Sequence, residues 1–218
     1  MKKKNATTWW IVAVVIVAVG LIFASKYWKQ ESAAGVATKL SNAETGTSTV
    51  SGYNDSTAPW PAEVAHLKDR LAADGLALLA MEGNALHIHQ HLDLFVHGTQ
   101  VQVPAGIGII LGPGGSELFS PLHVHDLSNI IHIEAPKVET FTLGEFFDVW
   151  GVRFTNSCVG GYCIDEANAL HVYVNGKAYQ GDLRALPLAP HQEIVITYGT
   201  ATETPKTIPS SYTFPAGY

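Results

Sequence analysis

Methionine and cysteine are scarce in this chain, two of each in 218 residues. Met81 is the only methionine past the first position, which argues against a methionine-rich Cu(I) carrier, because Cu(I) transport sites recruit thioether or thiolate ligands. Catalytic signatures are missing as well. There is no HExxH, GxSxG or Walker A run, and neither Gly106-Ile-Gly108 nor Gly112-Pro-Gly-Gly115 is followed by a helix start that would hold a phosphate, so both read as turns. Ordinary hydrolase machinery is therefore unsupported. Positive charge is short in the larger part of the chain. From Trp60 onward seven Lys and Arg stand against sixteen Asp and Glu, a formal balance of −9, against −6 for the whole chain. Such a surface repels nucleic acid and anionic lipid and mildly attracts cations.

Charge is absent altogether from Asn5 to Ser25, and Trp9 to Ala24 is nearly all Val, Ile, Ala, Leu, Phe and Trp, close to the roughly 20 residues that cross a bilayer core. Residues 9–28 are expected to span the membrane, with Trp9, Trp10, Tyr27 and Trp28 at its two interfaces. Lys2, Lys3 and Lys4 would also suit a signal peptide, but the apolar run exceeds an h-region and no small-x-small cleavage site follows. The same lysines favour a cytoplasmic N-terminus over residues 1–8, so the remainder is expected outside the cytoplasm, tethered to the cell membrane by a single pass. Residues 29–59 are rich in Ser, Thr, Ala, Gly and Asn without apolar periodicity and read as a flexible linker. One domain with one core is expected over residues 60–218. In that compartment Cys158 and Cys163, flanking a Gly-Gly turn, are expected to form a disulfide; the alternative thiolate metal site has an unusual spacing for zinc.

Within the domain, Pro61 at a first helical position and Val64, Leu67 and Leu71 at spacings of three and four predict a helix that stops before Gly75. The run Leu86 to His97 then alternates, placing Leu86, Ile88, Leu92, Leu94 and Val96 on one strand face and His87, His89, His91 and Asp93 on the other. His97-Gly98 turns it into a second strand ended by Pro104, and Asn175-Gly176 marks a second hairpin over Leu170 to Tyr179. Ile130 to Glu134 reads as a strand, Thr142 to Trp150 as a helix with a Thr142–Glu145 capping box, and Glu193 to Tyr198 as a last strand. This order predicts an α+β, β-grasp-like domain of antiparallel hairpins packed on a helix; a β-sandwich is the alternative.

Six of the ten histidines fall into two groups, His87, His89 and His91, then His123, His125 and His132. Imidazole is the commonest transition-metal ligand, and His-x-His on a strand sets two rings on one face. Residues two apart are about 6.6 Å apart along a strand, within reach of one ion, whereas His87 and His91, about 13 Å apart, are not. His89 should therefore pair with one neighbour and leave the other for a second role. Two His-x-His pairs on neighbouring strands would approach a four-nitrogen site, and Asp93, Asp126 and Glu134 would orient ring N–H groups. Zn(II) and Cu(II) both suit imidazole. The expected function is metal capture, buffering or delivery. A zinc enzyme activating water at three histidines, with Glu134 or Asp126 as proton acceptor, and a non-metal structural or pH-sensing role stand as alternatives. His66, His97, His171 and His191 read as surface polar residues.

At His87-Ile-His-Gln-His91, Leu122-His-Val-His-Asp126, Ile130-Ile-His-Ile-Glu134, Thr142 to Trp150 and the ending Ile208-Pro-Ser-Ser-Tyr-Thr-Phe-Pro215, the chain resembles a group of uncharacterised, often membrane-anchored, His-rich bacterial and archaeal proteins. The likeness covers most of Leu67 to Tyr218. It implies a prokaryotic extracytoplasmic domain and supplies no mechanism.

Overall fold

The alternating runs become strands. The computed structural model describes residues 52–218; the expected membrane span at 9–28 lies outside them, and among the described residues no helix is long and apolar enough to cross a membrane. Strand β1 (Leu86–Val96) buries Leu92, Leu94 and Val96 on one face and carries His89, His91 and Asp93 on the other, as a period of two requires. His97 and Gly98, with φ of 48° and 73°, make the tight turn into β2 (Thr99–Val101). This is the hairpin geometry that matches strand twist.

Strands β3 (Ile109–Leu111) and β4 (Glu117–Phe119) form a separate ribbon closed by a 3-10 turn at Pro113–Gly115. The chain then re-enters the main sheet with β5 (Leu122–His123) and β6 (Ile130–Ala135). A second ribbon, β7 (Cys158–Val159) and β8 (Tyr162–Cys163), places the cysteines opposite each other and is closed by the Cys158–Cys163 disulfide. Strands β9 (Ala169–Val174), β10 (Lys177–Ala178) and β11 (Glu193–Gly199) complete the set. The seven-stranded sheet runs β10-β9-β11-β1-β6-β5, and β2 pairs with the C-terminal part of β1. Within this sheet only the central pair, β1 and β11, is parallel.

Helix α2 (Leu143–Trp150) supplies the facing layer, and this is an α+β fold. Its Phe146, Phe147 and Trp150 share one core with Leu92 and Leu94 of β1, Ile131 and Ile133 of β6, and Ile194 and Ile196 of β11. The expected capping box is present. Thr142 Oγ1 accepts the Glu145 N–H (3.3 Å) and the Glu145 carboxylate accepts the Thr142 N–H (2.8 Å). The β-sandwich alternative is not what forms, since the other sheets among the described residues are two-stranded ribbons.

Two boundaries differ from expectation. The first helix, α1 (Leu67–Asp74), starts six residues after Pro61; ahead of it Glu63 N–H donates to the Trp150 carbonyl (3.2 Å) and a turn returns Leu67 N–H to the Val64 carbonyl (3.4 Å). Val64 stays largely exposed, whereas Leu67 and Leu71 are buried. The folded part also begins before Trp60. Tyr53 donates to Asp148 Oδ1 (2.9 Å) and Asn54 N–H to the Gly151 carbonyl (2.7 Å), so the end of the expected linker is bound to α2. Buried Arg70 completes this corner, pairing with Glu63 and donating to the carbonyls of Asp148 (2.6 Å) and Gly52 (3.2 Å).

Candidate metal centre

Register assembles the histidines. On the sheet face away from the core, His89 of β1 stands beside His132 of β6, and His132 beside His123 of β5, one row across three strands. His87 stands beside Glu134 one step along. The two His-x-His pairs are therefore not on neighbouring strands, as expected from sequence; β6 lies between them and sets His132 in the middle. His125, just beyond β5, closes the group, its ring 4.7 Å from that of His123 and 4.6 Å from that of His132.

The nitrogens converge. Nε2 of His123 and of His125 lie 3.1 Å apart, and Nε2 of His87 and of His89 3.2 Å. Two ligand nitrogens each about 2.0–2.1 Å from a tetrahedral ion are about 3.3 Å apart, so both pairs are close to a shared-ion separation. Glu134 Oε1 reaches both halves, 3.2 Å from His87 Nε2 and 3.3 Å from His132 Nδ1. The contact to His132 Nδ1 is the ring-orienting one expected of it, and the same oxygen could also serve as a ligand. Donor atoms of His123, His125, His132 and Glu134 lie within 4.8 Å of one another, as do those of His87, His89 and Glu134. Either set could hold a metal ion.

His123 is fully buried, and its Nδ1 lies 2.9 Å from the Ser120 carbonyl oxygen. A carbonyl only accepts, so Nδ1 carries the proton and Nε2 keeps a free lone pair facing His125. Protonation is also suppressed. Burial first, and then the neighbouring imidazoles, push His89 down to about 4 and His132 down to about 3; burial pushes His123 down to about 4 against the pull of the Ser120 carbonyl. These rings are neutral at pH 7, the form that binds metal. The outer rings are more open, with the side chain of His87 52 % exposed and that of His125 36 %.

Sequence reasoning misses two partners. Glu82 Oε1 lies 3.2 Å from His125 Nε2 and 3.7 Å from His123 Nε2. Its placement follows from Gly83, whose backbone presses so closely on Ala135 that an added Cβ would sit 2.2 Å from the Ala135 carbonyl carbon. A glycine just ahead of a histidine-bearing strand is the available signal. Burial, and beyond it the nearby Glu82, raise the Glu134 carboxyl above its ordinary value. The second partner is Tyr218, whose ring centroid is 4.6 Å from that of His89 and 5.3 Å from that of His132. No spacing pattern reveals a contact of that sequence separation.

His91 does not join the five clustered histidines. Strand rise carries it past them, and it stands beside Glu193 of the parallel strand β11, with Nδ1 2.9 Å from Glu193 Oε2. Asp93 belongs with it, accepting from Gln100 Nε2 at 2.7 Å. Asp126 Oδ1 accepts the Ser128 N–H (2.8 Å) and shapes the exposed turn before β6, with His132 and His125 near enough to act on its charge. His66 and His97 meet Glu63 and Glu203 and His171 is exposed, whereas His191 borders the cluster, its backbone N–H donating to the His89 carbonyl (2.7 Å) and its Nε2 lying 3.1 Å from the Tyr218 carbonyl oxygen. Comparison of the chain with protein-family models, curated proteins and solved structures finds no match, so the functional reading rests on this geometry.

Proposed function

We propose that this protein is a membrane-tethered, extracytoplasmic metal-binding protein that captures, buffers or delivers Zn(II) or Cu(II) at His87, His89, His123, His125, His132 and Glu134. The observation that carries this reading is the His123 ring, held by the Ser120 carbonyl so that its bare Nε2 faces that of His125 at 3.1 Å. An imidazole fixed through one nitrogen with the other free is the arrangement that metal sites use. A donor set of imidazoles with one or two carboxylates suits either ion. The tether is the apolar run at residues 9–28, and an oxidising compartment agrees with the Cys158–Cys163 disulfide. The frame we propose is β-grasp-like: the β1–β2 hairpin, α2, the β9–β10 hairpin, then β11 laid parallel to β1 at the centre, with β3 to β6 inserted to bring His123, His125 and His132.

Elemental analysis tests the reading. The purified full-length chain, equilibrated with ZnSO4 or CuSO4 and desalted, should retain at least one equivalent that a His123→Ala/His125→Ala/His132→Ala variant does not. No retained metal, or equal retention by the variant, overturns it.

A further inference from the structure

His91, Asp93 and Glu193 lie side by side on β1 and β11, all at least nine-tenths buried. Their donor atoms fall within 4.8 Å of one another. We propose that these three residues form a second cation site, separate from the histidine cluster and selective for a harder divalent ion such as Mn(II) or Fe(II). This goes beyond the reading above and does not depend on it.

Two carboxyls and one imidazole converge in a buried corner, a donor set whose negative charge a divalent cation would balance. Glu193 also carries an unmet polar atom. Glu193 is 1 % exposed; its Oε1 meets no N–H or hydroxyl donor among the described residues, with the Asp93 carboxyl as its acidic neighbour, while its Oε2 faces His91. Buried polar atoms are nearly always satisfied, and an orphan marks the place of a missing partner.

Geometry agrees with coordination. The 2.9 Å between His91 Nδ1 and Glu193 Oε2 is close to the edge of an octahedron with bonds of about 2.1 Å, roughly 3.0 Å. Outer contacts hold the ligands. Gln100 Nε2 donates to Asp93 Oδ1, leaving Oδ2 for an ion, and Tyr212 stacks on the His91 ring at 3.8 Å with planes 6° apart. Two carboxylates with one imidazole form a harder set than the cluster, and hard donors suit Mn(II). The two places are distinct because the rings face different strands: His91 Nδ1 meets Glu193 of β11, whereas His89 meets His87 and His132 of β6.

The test uses the full-length chain, stripped with chelator and titrated with MnCl2, with free Mn(II) read by electron paramagnetic resonance. One Mn(II) should bind, persist in a His123→Ala/His125→Ala variant, and bind at least tenfold more weakly in Glu193→Gln and in Asp93→Asn. Pulsed resonance on the unmutated protein, which needs no variant to fold, should find a single imidazole nitrogen coupled to the manganese. Absence of Mn(II) binding, two or more coupled imidazoles, or loss of Mn(II) in the cluster variant with retention in Glu193→Gln overturns the proposal. Zinc retention by the same cluster variant is scored separately, so failure of the histidine site and failure of this one are distinguishable.

Discussion

His123 has one ring nitrogen committed to the Ser120 carbonyl and no exposed surface, whereas the His87 side chain is about half exposed at the rim. Equal chemistry in unequal settings should give unequal consequences. Outer-shell losses cost metal sites about 10–100-fold in affinity, so removing a fixed ligand by His123→Ala should weaken Zn(II) or Cu(II) binding by more than about 100-fold, and His87→Ala by less. Competition against a chelator measures both, and a larger loss at His87 would reject this ranking. Arg70 is the corresponding residue for stability. Its guanidinium is buried against Glu63 and the carbonyls of Gly52, Asp148 and Val149. Arg70→Met strands those acceptors and should cost about 3–5 kcal/mol, the range for breaking a buried pair on one side. Urea unfolding at neutral pH reads this directly, and an unchanged midpoint would show that the corner is not needed.

Elements with a strong period are legible in the amino-acid sequence: β1, β6, β11, both tight hairpins and α2 follow from alternation, turn residues and the Thr142 cap. That cap is testable. Thr142→Ala should lower stability by about 1 kcal/mol while leaving metal content unchanged, since α2 faces the core and not the histidines. A loss of bound metal in that variant would mean that helix and site are coupled. Less of the site is legible than of the fold. Strand β5 is two residues long, and its position beyond β6 depends on pairing that no local pattern encodes. Thus the clustered histidines are identifiable from their spacing, but the division of His91 from the others is set by β11, whose Glu193 is 102 residues away in sequence. Glu82 and Tyr218 escape sequence reasoning because each reaches the site through a close approach and not through a repeat. The start of α1 departs from expectation because Glu63 gives its N–H to Trp150, a contact distant in sequence that no local pattern encodes.

At the scale of the whole molecule, the buried imidazoles should set the response to acid. His89, His123 and His132 are held down to about 4, 4 and 3, against about 6.5 in an unfolded chain. Above about pH 6.5 both states are neutral there and the rings contribute no pH dependence. Below it the unfolded chain takes up protons that the folded one refuses, so stability falls as pH drops toward about 4 and levels off only when the folded rings protonate. Glu134 and Glu193 act in the opposite sense. Burial raises both carboxyls, so the folded state accepts their protons earlier and recovers part of the loss. With three rings against two carboxyls, the net slope between about pH 6.5 and 4 should be destabilising toward acid. Chelator-treated protein should show its urea midpoint falling steadily across that window. Bound metal should steepen the fall, because protons then also compete for the ligands. A midpoint that is flat or rises toward pH 4.5 would mean that the cluster is charged in the folded protein, and the neutral-ligand basis of the metal site would fall with it.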